Sequence, residues 1–251
     1  MQEKKQKSGA QKKIGVKIFP NGKAFYEQMK QDIDFVEIMA VEGAEYSFLK
    51  GWKKGVVIHH EHDGFGVNHA NPEKGKKNQA ATKWAIHLAN KFHAEKIIIH
   101  AGHIENKDCS LKEVITQLMP IWDKRIIFEN LIHIASGHYM FCYNKEQLEY
   151  LISAFKTGIC LDISHAVISG VELHNDPEYF LKELQTLPIL HGHVCDGHLE
   201  TPIDQHIHIG DGNFPLQKYI RYFPKKTAIT IETPKNLKKA REDIAFVRRY
   251  G

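Results

Sequence analysis

The sequence predicts an α/β protein folded as one domain, a (β/α)8 TIM barrel. Three observations carry this. Eight short β-branched runs alternate with helical patterns, and each run ends in polar or ionisable residues. The runs start about 20 to 40 residues apart, the spacing of strand–helix–strand crossovers. The chain has 251 residues, a length at which such a barrel closes as one unit. A doubly wound open sheet is the competing architecture, but neither a G-x-G-x-x-G turn nor a P-loop occurs.

The predicted strands are Ile14–Phe19, Asp34–Ala40, Gly55–His59, Lys96–His100, Arg125–Glu129, Gly158–Asp162, Ile189–Val194 and Ala228–Glu232. Helical signals fall between them. Ala80, Trp84, Leu88 and Phe92 recur every four residues on one face. Ser110 with Glu113 forms a capping box ahead of Val114, Ile115 and Leu118. Asn144 precedes Leu148, Leu151, Ile152 and Phe155, and Asp176-Pro177 reads as an N-cap with proline at the first helical position. Pro234 is expected to open a last helix with the stripe Leu237, Ala240, Ile244 and Val247.

Composition excludes several classes. Hydrophobic residues at 42% and charged residues at 25% match a globular domain rather than a disordered chain or fibre. No apolar run approaches the roughly 18 residues that span a bilayer, so no membrane association is expected. The net charge of +4 is accounted for by five lysines and one glutamate in residues 1–13, read as a basic flexible leader ahead of a barrel domain over 14–251. That leader lacks the apolar segment of a secretory signal. The neutral body offers little charge for tight nucleic-acid binding. Four scattered cysteines without a C-x-x-C pair fit a reduced, cytoplasmic protein.

Histidine is the unusual residue, with 17 copies. Five predicted strands end in a possible ligand: His100, Glu129, Asp162 (with His165 three residues on), His193 and Glu232. The loops HHEHDGFGVNHANPE and ETPIDQHIHIGDGNFP add further donors. The mouth of such a barrel, at the strands' C-terminal ends, is where active sites lie. Carboxylates gathered there repel one another unless a divalent cation neutralises them. Mixed nitrogen and oxygen donors suit zinc, and also manganese or iron. Asp196 and Asp211 are candidate acceptors for the outer nitrogens of ligand histidines. His59, His60 and His62 read as surface or supporting groups, and His191 as a hydrogen-bonded core histidine. His87, His93, His133, His138 and His174 read as solvent-facing, and Cys160 as a small hydrophobe inside the barrel.

The order His, Glu, Asp-x-x-His, His, Asp-x-His, Glu resembles that of the xylose-isomerase-like barrels. Within them it is most similar to the family 2 apurinic/apyrimidinic endonucleases (endonuclease IV). The similarity runs over about residues 55–235 and is most specific in GICLDISHA, HVCD with DQHIHIGDGN, and IETP. It implies a hydrolase involved in DNA repair with three zinc ions: His69, His100 and Glu129 on the first; Glu129, Asp162, His193 and Glu232 on the second; His165, Asp204 and His206 on the third. Glu129 would bridge metals, with Asp162 and Glu232 beside it in the catalytic set. A hydroxide shared by metals would attack a phosphodiester of DNA or of another substrate. Three Zn²⁺ ions against four carboxylates would leave the pocket positive and attract such an anion. Three segments depart from the family: Lys17 stands where its first strand carries histidine, the second strand reads VEIMAVEGAEY, and ENLIHIASGH replaces a glycine-rich segment.

A second reading stays open. Sugar or sugar-phosphate isomerases and epimerases of the same superfamily keep the equivalents of Glu129, Asp162, His193 and Glu232 around one divalent metal, and Glu37 is reminiscent of them. A third is a binding protein with a structural metal. The surplus of His69, His165, Asp204 and His206 separates the first reading from the second.

Overall fold

The computed structural model describes residues 12–251. Eight parallel strands close into a barrel in which every strand pairs with its neighbour in sequence and the last returns to the first. They are β1 (Ile14–Ile18), β2 (Phe35–Ala40), β3 (Gly55–His60), β4 (Lys96–Ile99), β5 (Ile126–Glu129), β6 (Ile159–Asp162), β7 (Ile189–Val194) and β8 (Ala228–Ile231). Each lies within a residue or so of the run that predicts it. The outer helices are α1 (Lys23–Met29), α2 (Gly75–Lys91), α3 (Leu111–Leu118), α4 (Lys145–Phe155), α5 (Ile163–His174), α6 (Tyr179–Leu184), α7 (Leu216–Tyr219) and α8 (Leu237–Tyr250). None is long and apolar enough to cross a membrane.

The caps explain where the helices begin. Ser110 Oγ accepts from the Glu113 amide at 3.1 Å, and Asn144 Oδ1 from the Gln147 amide at 3.0 Å. Pro234 does not open α8; Asn236 caps it, accepting from the Lys239 amide. Asp176 holds the Glu178 amide, and α6 begins after it, at Tyr179. Residues 1–11 of the expected leader lie outside the described residues. Lys12 and Lys13 already join the folded body: Lys12 Nζ donates to the Phe223 and Pro224 carbonyls, and the Ile229 amide donates to the Lys13 carbonyl.

Strand alternation sorts the barrel interior into layers. The lower layer is apolar, made of Phe35, Val57, Ile98, Ile127 and Cys160. Gly15 leaves room for it, because a Cβ there would lie 2.4 Å from the Phe35 ring. Two residues further along each strand, the same inward face carries Glu37, His59, His100, Glu129 and Asp162, with Lys17 following Gly15 and His193 following His191. The polar layer is therefore the next pleat of the strands that build the core. ENLIHIASGH forms a small hairpin, Ile134–Ala135 against His138–Tyr139, turned by Ser136 and Gly137 with φ of 50° and 80°. It brings Leu131, Ile132, Ala135 and Met140 to a cavity of about 550 Å³ over the barrel mouth.

Candidate metal centre

Glu129 is the hub. It ends β5, is 1% exposed, and meets four imidazoles: His59 Nε2 at 3.1 Å, His100 Nε2 at 3.2 Å, His193 Nδ1 at 3.2 Å and His165 Nδ1 at 3.4 Å. Burial alone would favour its neutral acid, yet His193 and His100 hold its pKa well below the ordinary carboxylate range.

Around this hub the donors form overlapping clusters on three sides, which also take in Glu37 beside His59, His193 and Glu232 and Asp63 beside His62 and His100. On one side His59 and His100 share Glu129, and His62 stacks on His100 with ring centroids 5.2 Å apart. At the centre, His193 Nδ1 faces Glu129 Oε1 at 3.2 Å, Glu232 Oε1 at 3.1 Å and Asp162 Oδ2 at 3.8 Å. On the far side, Asp204 Oδ2 lies 3.3 Å from His165 Nε2 and 2.5 Å from His206 Nε2.

Several observations fit a divalent cation in each group. Asp162 Oδ1 caps α5 by accepting the His165 amide at 2.9 Å, which explains the Asp-x-x-His spacing as N-cap and third helical residue. Its Oδ2 is buried with no partner and faces the central group. Burial, with the charges of Glu129 and Asp204, raises the Asp162 carboxyl to about 6. The outer nitrogens are also fixed. His59 Nδ1–H donates to the His60 carbonyl at 2.9 Å, His165 Nδ1–H to the Asn130 carbonyl at 2.8 Å, and His206 Nδ1–H to the Glu232 carbonyl at 2.9 Å. Each leaves its Nε2 aimed at carboxylates, the arrangement of metal-ligating imidazoles. Burial opposes charge on His165, but Asp162 and Asp204 outweigh it and lift the ring to about 10. His206 is raised likewise, and Asp204 is lowered by both rings.

The structure thus brings together His100, Glu129, Asp162, His165, His193, Asp204, His206 and Glu232. It does not bring His69 to them. His69 lies behind β3, fully buried, its ring 5.1 Å from that of His60, and shares none of the donor groups. The side chains beside His100 and Glu129 are instead His59 and His62. His59 and His60 are not surface groups, both being 1% exposed. The signal for His59 was parity, since it lies two residues past inward-facing Val57. Asp196 and Asp211 do not hold ligand histidines. Asp196 accepts the amides of Gly197, Gly210, Gly212 and Phe214 at 2.8 to 3.3 Å, tying down the loop that carries Asp204 and His206. Asp211 pairs with Lys239 at the surface. His191 is a hydrogen-bonded core histidine, its Nε2 2.9 Å from Thr230 Oγ1.

The cavity above is lined both by polar groups, among them His62, His100, Glu129, His165, His206 and Glu232, and by the apolar side chains of Phe19, Met39, Leu131 and Met140. A mixed lining of this kind can bury apolar parts of a ligand while polar atoms orient it.

Comparisons with known proteins show what the chain is similar to. A "Probable endonuclease 4" of Mesomycoplasma hyopneumoniae (strain 7448) is 27% identical over 168 residues, which are 62% of this chain. The match spans 60% of the length of that relative. Endonuclease IV from Thermus thermophilus superposes with a TM-score of 0.74 at 19% identity, covering 95% of this chain and 98% of that one. A D-tagatose 3-epimerase-like protein superposes with a TM-score of 0.70 at 21% identity, covering 95% and 96%. At these identities the superpositions establish the fold alone. The xylose isomerase-like TIM barrel family model matches residues 20–250, nearly the whole described chain, and the protein belongs to that family.

Proposed function

We propose that this protein is a metal-dependent phosphodiester hydrolase of the endonuclease IV type. The carrying observation is the far group, His165, Asp204 and His206. A single-metal isomerase has no use for a second set of convergent donors beside Glu129, Asp162, His193 and Glu232. Glu129 with His59 or His62 and His100 would hold one cation, Asp162, His193 and Glu232 with Glu129 a second, and His165, Asp204 and His206 a third. Zinc suits these donors, with manganese or iron as the substitutes they would accept. Bound cations would lower the pKa of water toward 7 and neutralise charge building on a phosphoryl oxygen.

The chain's own residues do the rest. Glu129 holds the donor groups in one pocket. The carbonyls of Asn130 and Glu232 fix His165 and His206 so that their Nε2 atoms face inward. The apolar lining residues Phe19, Met39, Leu131 and Met140 would shield part of a bound substrate from water. The likeness to a probable endonuclease 4 supports DNA as the substrate class, whereas the acidic second-strand segment with Glu42 and Glu45 argues for a mode of DNA contact that does not use that loop.

The second reading, a divalent-metal sugar epimerase, draws support from the superposed epimerase-like protein and from a cavity small enough for a sugar. One experiment separates the two: elemental analysis of the purified protein together with cleavage assays on abasic duplex DNA and a generic phosphodiester. Two or more metal equivalents with metal-dependent cleavage are expected. One equivalent or fewer, with no cleavage, would overturn the hydrolase reading in favour of the epimerase.

A further inference from the structure

In the same layer as the donors, the barrel holds a buried carboxylate and an ammonium that touch them side-on. Glu37 on β2 is 0% exposed. Its Oε2 accepts the Thr230 hydroxyl at 2.6 Å and the Nε2–H of His193 at 3.1 Å. Thr230 Oγ1 in turn accepts from His191 Nε2 at 2.9 Å, so the acceptor is itself oriented. On the adjacent strand, Lys17 lies in register with Glu37, and its Nζ donates to Glu232 Oε1 at 2.9 Å.

We propose that Glu37 and Lys17 are a matched pair of positioning residues, Glu37 fixing the ring of His193 and Lys17 fixing the carboxylate of Glu232, so that both ligands face one cation. A histidine that gives its Nε2 proton to a carboxylate presents Nδ1 as the free donor and gains basicity. His193 Nδ1 is the atom that faces Glu129, Asp162 and Glu232. Glu37 would be a fifth carboxylate in a crowded acidic pocket, and Lys17 cancels it. Neither charge is tolerable alone in the barrel interior, because an unpaired buried charge costs far more than a pair. The inference rests on the metal centre, which the hydrolase and epimerase readings share.

The test is a chelator-competition zinc titration of the full chain, in wild type, Glu37→Gln, Lys17→Met, the double variant and Thr230→Val. The melting temperature of each metal-free protein is measured alongside. Glu37→Gln is expected to weaken zinc binding by about 10- to 100-fold. Lys17→Met, which removes a repelling charge, is expected to weaken it far less, and the double variant to return toward wild type. Histidine ¹⁵N shifts of the zinc-loaded protein should show His193 bound through Nδ1, with that preference eroded in Glu37→Gln. Thr230→Val removes one of Glu37's partners and keeps both charges. It should weaken zinc by about threefold, and serves as the comparison if Glu37→Gln does not fold. Wild-type zinc affinity in Glu37→Gln, or in Thr230→Val where Glu37→Gln does not fold, would overturn the proposal. So would a double variant no better than Glu37→Gln, or a loss confined to metal-free stability. Failure of wild type to bind zinc would overturn the metal centre as well.

Discussion

His206 donates its Nδ1–H to the backbone carbonyl of Glu232, 2.9 Å away. A donor from the loop after β7 is thereby oriented by a residue whose own carboxylate serves the central group. The donor groups are coupled through main chain as well as through Glu129.

Replacing His206 with asparagine, which keeps the left-handed backbone acceptable, is expected to remove one metal equivalent. Phosphodiester cleavage should fall by about 10²- to 10³-fold in a protein that stays folded. Elemental analysis and steady-state kinetics check both. An unchanged metal count would detach the far group from metal binding.

Glu129→Gln acts more widely. The amide keeps the shape but gives up the charge shared by His59, His100, His165 and His193. More than one equivalent of metal should be lost, and turnover should drop by more than about a hundredfold. Full activity in this variant would remove Glu129 from the centre.

Asp196 is 2% exposed and satisfies four loop amides. Asp196→Ala leaves those amides without an acceptor. The expected cost is about 2–4 kcal/mol in denaturant unfolding, with weaker metal retention by Asp204 and His206. Wild-type stability would mean that the loop is held elsewhere, as by Asp243, which accepts from His208 Nδ1 at 2.6 Å and from the Ile209 amide.

Glu105 gives a pH dependence away from the metal centre. Partial burial opposes its charge, but Lys74, Asn71 and His103 outweigh this and hold the carboxyl at about 2. Its folded pKa lies below the unfolded value of 4.5, so the unfolded chain binds more protons between those values. The stabilisation is present above pH 4.5 and is lost as pH falls toward 2. Unfolding of wild type and Glu105→Gln, compared at pH 6 and pH 3, should show a gap at pH 6 that narrows at pH 3. A gap independent of pH would refute the assignment.

The barrel is legible because β-branched runs recur at strand–helix–strand spacing, and His100, Glu129, Asp162, His193 and Glu232 lie at or beside the ends of five of them. His165 is marked by its spacing to Asp162, whereas Asp204 and His206 are implied by the resemblance of the DQHIHIGDGN loop to that of the endonuclease IV family. His59 and Glu37 were harder to see. Both obey the same two-residue alternation, but His59 stands among neighbouring histidines, and Glu37 is marked by its likeness to the isomerases rather than by its contact with His193. His69 is implied by the resemblance of VNHANPE, but the structure buries it beside His60, outside the donor groups. The roles of Asp196 and Asp211 depend on loop geometry that no local pattern encodes.

His206 sits at φ 47°, a conformation open to few side chains besides glycine, asparagine and aspartate. The consequence concerns descent. Valine or isoleucine at this position would remove a donor and force the loop to refold, but asparagine would remove the donor at almost no conformational expense. A cation held by His165, Asp204 and His206 would therefore be the one a lineage sheds most easily, with the barrel itself left intact.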